Sequence, residues 1–216
     1  MKKTVCAVVL AGGKSSRMGS PKELLPWRGT TLIENLINQI MKVKLPCVLV
    51  SNTPEELPPA LQHHDKIQII RDQGESCGPI SGIFSAMRKR HEEWYLVLSC
   101  DLPFVEANDL LHLLTLIEQV DDHIQAIIPS VGGRVQPLFA LYHKGSENIW
   151  RASLDHGDYR VIKAVESMPY RIVELPESVL SATTLFNMNS PVDYQTALLA
   201  EEKVDEETMK RRKKNE

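Results

Sequence analysis

Short apolar segments alternate with amphipathic ones along the first 130 residues of the chain. The apolar segments are 5–10, 47–51, 67–70, 95–99 and 126–129, and most are hydrophobic at successive positions rather than at every second one. Such runs are typical of parallel strands that are buried on both faces of a sheet. Between them, residues 31–43, 54–61, 79–90 and 107–120 are predicted to be helical, and two of these segments place apolar side chains on one face. The alternation predicts a doubly wound α/β sheet with right-handed crossovers.

The pattern changes after residue 130. Residues 131–134 read as a turn, and residues 135–142 as a strand. Helices are predicted near 146–154 and 159–167, and strands at 170–175 and 185–189. The sequence therefore predicts one three-layer, Rossmann-like α/β domain over residues 1–200. Its sheet is mostly parallel, it has a mixed C-terminal extension, and a charged tail follows at 201–216.

Composition and charge narrow the class of function. The chain has 216 residues, of which 43% are hydrophobic and 25% charged, as in ordinary globular proteins and unlike disordered, collagen-like or membrane-spanning chains. The net charge of −3 provides no global basic field for nucleic acid, so a bound anion must be held locally. The basic residues 210–214 follow an acidic run and read as a solvated helix end. We therefore expect neither a nucleic-acid nor a membrane partner.

The cysteines indicate a reducing compartment. Four are present, at positions 6, 47, 77 and 100, and their spacing matches no zinc motif. Those at 6, 47 and 100 lie in or beside apolar runs, where a free thiol behaves as a small hydrophobe. The apolar run at the start of the chain ends in Gly12 and Gly13 rather than in a cleavage site for a signal peptidase. We expect a cytoplasmic protein with reduced thiols.

The segment from Leu10 to Lys22 reads as a phosphate-binding loop. Two adjacent glycines follow the first strand, and glycine permits positive φ and close backbone approach to a ligand. Successive N–H groups in such a loop form an anion-binding concavity. Lys14, Arg17 and Lys22 add three cations, which favours a polyphosphate ligand. The spacing fits neither the Rossmann G-x-G-x-x-G fingerprint nor the Walker A motif.

Three polar residues follow predicted strands directly. Asp101 comes after the strand at 95–99, and ligands of open α/β sheets bind at the carboxyl ends of strands. A carboxylate there is placed to hold Mg²⁺; capping of the following helix is the alternative, which is disfavoured because Pro103 and Glu106 place the helix start later. Asn52 and Asp72 occupy similar positions after the second and third strands, where each alone is more often a turn residue.

Five separated motifs together resemble the molybdenum cofactor guanylyltransferase family over about residues 4–200. The first is L-A-G-G-x-x-x-R-M-G-x-x-K at 10–22, and the second is Ser51-Asn52. The third is Asp72 followed by C-G-P-I-S-G-I at 77–83, which is similar to G-P-L-A-G-I of the family. The fourth and fifth are C-D-L-P-F at 100–104 and N-M-N-S-P at 187–191.

The resemblance implies a fold like that of the nucleotide-diphospho-sugar transferases and the transfer of GMP from GTP to molybdopterin, with release of pyrophosphate. It implies Mg²⁺ as cofactor, held by Asp101, with Arg17, Lys22 and Asp101 as the catalytic residues. The implied nucleotide-binding residues are Leu10, Ala11, Gly12, Gly13, Lys22, Asn52, Asp72 and Asp101. The implied acceptor-binding residues are Gly78, Gly82, Arg160, Asn187 and Asn189.

Other activities remain open at this point. A molybdopterin cytidylyltransferase, or another sugar- or polyol-phosphate nucleotidyltransferase, would carry similar motifs; Gly12-Gly13 favours the guanylyl branch, since cytidylyl relatives commonly have Ala then Gly. A GTP-binding accessory protein without turnover is an alternative of another class, which intact Lys22 and Asp101 disfavour. A reactive cofactor also implies partners that deliver it or collect it. Pro21, Ser81 and Ser190 depart from the family pattern, with Ser81 standing in place of Ala.

Overall fold

The computed structural model describes residues 3–12, 21–72 and 77–214, and of residues 204–214 the backbone alone. Ten strands are present in this part of the chain: β1 Val5–Ala11, β2 Pro26–Trp27, β3 Thr30–Thr31, β4 Cys47–Ser51, β5 Ile67–Arg71, β6 Trp94–Ser99, β7 Ala126–Val131, β8 Arg134–Val135, β9 Phe139–His143 and β10 Tyr170–Glu174. The α-helices of the same part are α1 Leu32–Lys42, α2 Pro59–Gln62, α3 Gly78–Lys89, α4 Ala107–Thr115, α5 Glu147–Asp155, α6 Val161–Glu166 and α7 Pro191–Lys214.

One twisted sheet organises the fold. Its strand order is β10-β7-β9-β6-β1-β4-β5, with β8 paired to β7, and β2 and β3 form a separate hairpin. Strand β1 pairs in parallel with β4 on one side and with β6 on the other, and β4 pairs in parallel with β5. These four strands form the predicted parallel half of the sheet.

Strand β1 lies in the middle of the protein. Its alternate residues belong to two separate hydrophobic cores, one on each face of the sheet: Ala7 and Val9 pack on one face, and Cys6 and Val8 on the other. All four are inaccessible to solvent. Burial of both faces explains why the segment is hydrophobic at successive positions.

Helices cover both faces of the sheet and complete three layers. Helices α1 and α4 pack on the face of Ala7 and Val9 through side chains such as Leu36 and Leu110. Helices α3, α5 and α6 cover the opposite face through side chains such as Ile83, Trp150 and Ala164. The predicted three-layer α/β architecture is confirmed.

The C-terminal extension makes the sheet mixed, as predicted. Strand β9 is antiparallel to β6 and to β7, whereas β10 is parallel to β7. The strand predicted at 135–142 is divided in two, because Gln136 to Leu138 turn between β8 and β9 and the amide of Phe139 donates to the carbonyl of Gln136.

Two other predicted elements are wrong. The helix expected at 54–61 is interrupted by extended backbone at Leu57, because a residue before proline avoids helical geometry and Pro58 follows. The strand expected at 185–189 is irregular backbone. Its amides serve other contacts: Phe186 N–H donates to Thr183, and Met188 N–H donates to the carbonyl of Asp101 at 2.9 Å.

Helix α7 begins at Pro191 and runs through residue 200, the predicted limit of the domain. Its first half is anchored to the body of the protein. The hydroxyl of Tyr194 donates to the carbonyl of Pro26 at 2.7 Å, and Arg28 pairs with Glu201 at 2.7 Å. Every helix in the described part of the chain is too short or too polar to cross a lipid bilayer.

A capping box fixes the start of α1. The side chain of Thr31 accepts from the Glu34 amide at 3.3 Å, and the Glu34 carboxylate accepts from the Thr31 amide at 3.0 Å. Thr53 also stands at a helix N-cap, before the 3₁₀ turn Pro54–Glu56, but its side chain makes no capping hydrogen bond. Thr31 and Thr53 can therefore be compared as N-cap residues with and without a capping hydrogen bond.

We expect Thr31→Ala to lower the free energy of unfolding by about 1 kcal/mol, because the Glu34 amide loses the hydroxyl oxygen that accepts its hydrogen bond and the capping box is broken. Thr53→Ala should change it by less than about 0.5 kcal/mol. Urea denaturation followed by circular dichroism measures both. Equal losses in the two variants would contradict the role given to the capping box.

Candidate active site at the carboxyl edge of the sheet

Four parallel strands end at one edge of the sheet, and polar residues follow each of them. The ends are in register: Leu10 pairs with Val50 and with Ser99, and Ser51 pairs with Arg71. Parallel pairing therefore brings together residues that are far apart in sequence. They surround a cleft of about 220 Å³ lined by Leu10, Ala11, Gly12, Lys22, Val50, Asn52, Asp72, Gly78, Pro79, Gly82, Ser99, Asp101 and Leu138.

An ion pair lies at the centre of this cleft. The Nζ atom of Lys22 is 3.0 Å from Oδ2 of Asp101, and the two side chains are only 15% and 10% exposed. Burial acts to lower the pKa of Lys22, but the negative charge of Asp101 and of nearby groups outweighs it and raises that pKa above its ordinary value. The ammonium group of Lys22 therefore stays charged near neutral pH and can bind an anion.

The second oxygen of Asp101 is available for a ligand. Oδ1 is buried and has no hydrogen-bond partner among the described residues. A buried carboxylate oxygen without a partner is costly unless a cation or a donor reaches it. No cluster of three or more His, Cys, Asp or Glu side chains suited to a metal occurs in the described ranges. A metal bound to Asp101 would thus take its other ligands from phosphate oxygens and water, as Mg²⁺ does.

Two glycines shape the cleft. Gly12 has φ of 135°, a conformation that favours glycine, whereas a Cβ atom there would be in ordinary contact with Nδ2 of Asn52 at 3.5 Å, so backbone geometry rather than space accounts for the glycine. At Gly82, on α3, a Cβ atom would lie 2.8 Å from Cδ2 of Leu10 and 3.3 Å from Val50. Gly82 lines the cleft, but close packing of α3 on β1 and β4 accounts for its lack of a side chain.

Asn52 and Asp72 are held in place by neighbours. The carbonyl of Asn52 accepts from Nη1 of Arg71 at 2.6 Å. The amide of Asp72 donates to the carbonyl of Ser51 at 3.0 Å, and its carboxylate accepts from the hydroxyl of Ser81. Two strand ends and the first turn of α3 therefore fix this side of the cleft.

The segment with the two asparagines is brought beside Asp101 but does not line the cleft. The Met188 amide donates to the carbonyl of Asp101, which tethers the segment. Asn187 is half-buried and donates to the carbonyl of Leu185 at 3.2 Å, whereas Asn189 is exposed. Because the backbone is irregular here, the alternation of a strand does not place the two side-chain amides on one face.

The remaining predicted site residues either line the cleft, lie outside its lining or lie outside the described residues. Gly78 lines the cleft at the N-terminus of α3. Arg160 lies outside the cleft lining, exposed and paired with Asp158 at 2.6 Å; this hydrogen-bonded pairing lowers the pKa of Asp158 to about 2. Gly13 and Arg17 lie outside the described residues.

Four residues that line the cleft were not predicted as site residues. Val50, Pro79, Ser99 and Leu138 face the cleft, and Leu138 accepts a hydrogen bond from the Ser99 amide at 2.8 Å. Ser99 carries a signal, since it ends a strand immediately before Cys100 and Asp101. Leu138 has none in the local pattern, because antiparallel pairing of β9 with β6 brings it there.

A larger groove of about 1080 Å³ lies at the opposite edge of the sheet, beside the start of β1 and the residues that precede β4 and β6. Val5, Pro46 and Leu114 are among its lining residues. None of the predicted site residues lines it, so volume alone does not identify the active site.

Comparison with known proteins finds relatives whose names agree with one another. Residues 7–169 match the family described as the MobA-like NTP transferase domain. A probable molybdenum cofactor guanylyltransferase of Bacillus cytotoxicus is 32% identical over 206 residues, which cover 93% of this chain and 100% of that protein. One from Bacillus cereus is 29% identical over 192 residues, covering 88% and 94%. The crystal structure of molybdopterin-guanine dinucleotide biosynthesis protein A from Archaeoglobus fulgidus is 26% identical with a TM-score of 0.71, covering 88% of this chain and 95% of that one.

The matched residues include the strand ends that form the cleft, from Leu10 to Asp101. The Bacillus relatives are matched over nearly their full length, so the agreement is not confined to one motif. The resemblance inferred from the five motifs is confirmed. The chain is a nucleotidyltransferase and belongs to the MobA-like NTP transferase domain family.

Proposed function

We propose that this protein transfers GMP from GTP to molybdopterin, forming the guanine dinucleotide of the cofactor and releasing pyrophosphate. The names of its relatives support this substrate pair. The observation that carries the proposal is the buried Lys22–Asp101 pair in a cleft built from four strand ends. One cation and one partly unsatisfied carboxylate, side by side, match a phosphate and the metal ion that accompanies it.

The strand ends supply the proposed nucleotide site. The backbone of Leu10, Ala11 and Gly12 faces the cleft and is placed to approach the nucleotide. Asn52 and Asp72 lie on the side away from Lys22 along the strand order and are the proposed contacts for the base. A carboxylate suits guanine, whose Watson–Crick edge presents an N1–H and an N2 amino group as adjacent donors. Gly13 and Arg17 would extend the phosphate-binding part of the site.

Asp101 would hold Mg²⁺ through the buried oxygen that has no hydrogen-bond partner among the described residues. The ion would supply charge neutralisation on the phosphate oxygens and orient the α-phosphate. Lys22 would add a second positive charge beside the same oxygens. The raised pKa of Lys22 keeps this charge in place at neutral pH, so no proton movement is needed before substrate binds.

The reaction requires little acid–base chemistry from the protein. The terminal phosphate of the acceptor is already anionic near neutral pH, so one of its oxygens attacks the α-phosphorus of GTP without a general base. The bond to the β-phosphate oxygen breaks in line, and pyrophosphate leaves. The residues of the cleft act by positioning the two substrates and by stabilising charge on the transferring and leaving groups.

The acceptor is proposed to bind where the tethered segment meets the cleft. Asn187 and Asn189 flank Met188, whose amide is bonded to Asp101, so both lie on the segment next to the proposed metal ligand. Gly78 and Gly82 border the cleft from α3. Arg160 belongs to this proposal only by resemblance, since it lies outside the cleft lining.

We also propose that the protein works in the cytoplasm. Delivery proteins would supply its cofactor substrate, and chaperone proteins would collect its product. The thiols of Cys6, Cys47 and Cys100 are free and buried, and burial raises their pKa, which fits unreactive thiols in a reducing compartment. A reactive pterin cofactor is best passed between proteins rather than released into solution.

The nucleotide preference tests the proposed function directly. Purified protein, Mg²⁺ and molybdenum cofactor or molybdopterin are incubated with GTP, CTP, ATP or UTP in turn, and pyrophosphate is measured. We expect release with GTP and at most about a hundredth of that rate with the others, because each lacks the paired donors of guanine. Release with CTP alone would move the protein to the cytidylyl branch. Tight GTP binding without release would support an accessory protein.

Asp101→Asn tests the metal assignment. The amide keeps the shape of the side chain and loses the charge, so we expect kcat to fall by about 100-fold or more, with the Mg²⁺ requirement shifted to higher concentration. The buried Lys22 also loses its counter-charge, so a thermal melt must accompany the assay. Asp65→Asn, at an exposed position, is the matched control and should leave the rate unchanged. Full activity of a folded Asp101→Asn variant at ordinary Mg²⁺ would contradict the assignment.

A further inference from the structure

One buried hydroxyl contacts the proposed base-binding carboxylate. Ser81 lies in the first turns of α3 and is only 6% exposed. Its Oγ atom donates a hydrogen bond to Oδ1 of Asp72. Asp72 lines the cleft, whereas Ser81 stands behind it and does not. The hydroxyl is therefore placed to act on a ligand through Asp72 rather than by contact.

Asp72 lies at the edge of the sheet. It follows β5, which is the edge strand of the sheet and pairs with β4 alone. Its amide is fixed by the carbonyl of Ser51, but a backbone bond does not determine the side-chain rotamer. The hydrogen bond from Ser81 joins the end of this edge strand to α3, which packs against the neighbouring strands β1 and β4. A side chain at an edge is thereby anchored to the core of the protein.

We propose that Ser81 is a specificity-determining positioning residue that fixes the carboxylate of Asp72 as a double acceptor directed at the nucleobase. The inference rests on the proposed function and goes beyond it. The hydroxyl of Ser81 donates to Oδ1, so it fixes the orientation of the Asp72 carboxylate, whose oxygens can accept further hydrogen bonds. Such a group selects a base that presents two adjacent N–H donors.

The donors and acceptors on the edge of each base determine which base the Asp72 carboxylate would favour. Guanine presents N1–H beside an amino group, whereas hypoxanthine presents N1–H alone. Adenine and cytosine present an amino group beside a ring acceptor, which would face the carboxylate unfavourably. A fixed carboxylate benefits from both donors of guanine, whereas a mobile one loses part of that benefit to the ordering of its side chain.

The test compares GTP with inosine triphosphate, which lacks only the 2-amino group of guanine. Steady-state transfer to molybdopterin gives kcat and KM for each nucleotide. In Ser81→Ala we expect the KM for GTP to rise about tenfold and the preference for GTP over inosine triphosphate to fall by a similar factor. The kcat at saturating GTP should stay within about twofold, because Ser81 touches neither the phosphates nor Asp101.

Two further variants separate positioning from general damage to α3. Ser81→Thr keeps the hydroxyl and should restore most of the preference for GTP. Ser85→Ala removes a hydroxyl one turn further along the same helix, outside the cleft lining, and should leave KM, kcat and preference unchanged. A loss of preference in Ser85→Ala equal to that in Ser81→Ala would assign the effect to the helix and overturn the proposal.

A double-mutant cycle isolates the Ser81–Asp72 contact. Asp72→Ala removes the acceptor, so adding Ser81→Ala to it should change the KM for GTP by less than about twofold. Additive effects of the two substitutions would overturn the proposal. A wild-type protein that prefers GTP, with a Ser81→Ala variant that keeps this preference, would refute the role of Ser81 while leaving the proposed function intact. Transfer from CTP and not from GTP by the wild type would refute both.

Discussion

The parallel pairing of β1 with β4 and β6 is the constraint on which the rest of the structure depends. It buries β1 on both faces and along both edges, and both neighbouring strands run in the same direction as β1 and end at the same level. This parallel register brings Gly12, Asn52 and Asp101 side by side, although the sequence separates them by tens of residues.

The charges of the site are balanced within the protein. Lys22 and Asp101 are both largely removed from water, which is unfavourable for either ion alone and tolerable for the pair. One carboxylate oxygen satisfies the ammonium and the other has no protein partner in the described part of the chain. The site is thus neutral enough to fold and still able to accept a triphosphate with its metal, each of which would interact with one member of the pair.

The sequence predicted the parts of the site that follow from strand order. Asp101 was found because it follows a buried strand and the ends of parallel strands meet at one edge, whereas Asn52 and Asp72 were identified by the resemblance to the family; all three line the cleft. The geometry around the two asparagines at 187 and 189 was not predicted, since their segment uses its amides for tethering rather than for strand pairing. Leu138 as a lining residue and Ser81 as the partner of Asp72 were also not predicted. Their positions depend on antiparallel pairing and on helix packing, which neither hydrophobic periodicity nor motif spacing reports.

The hydrogen bond from Met188 to the carbonyl of Asp101 has a consequence for the order of synthesis. The four strand ends that make the cleft are complete once residue 101 has left the ribosome, but the backbone around Asp101 is still without this partner. The tether forms only after residue 188 has also emerged. A nascent chain that lacks the last part of the sequence therefore holds the backbone of Asp101 without the tether, and this contact is among the last in the domain to form.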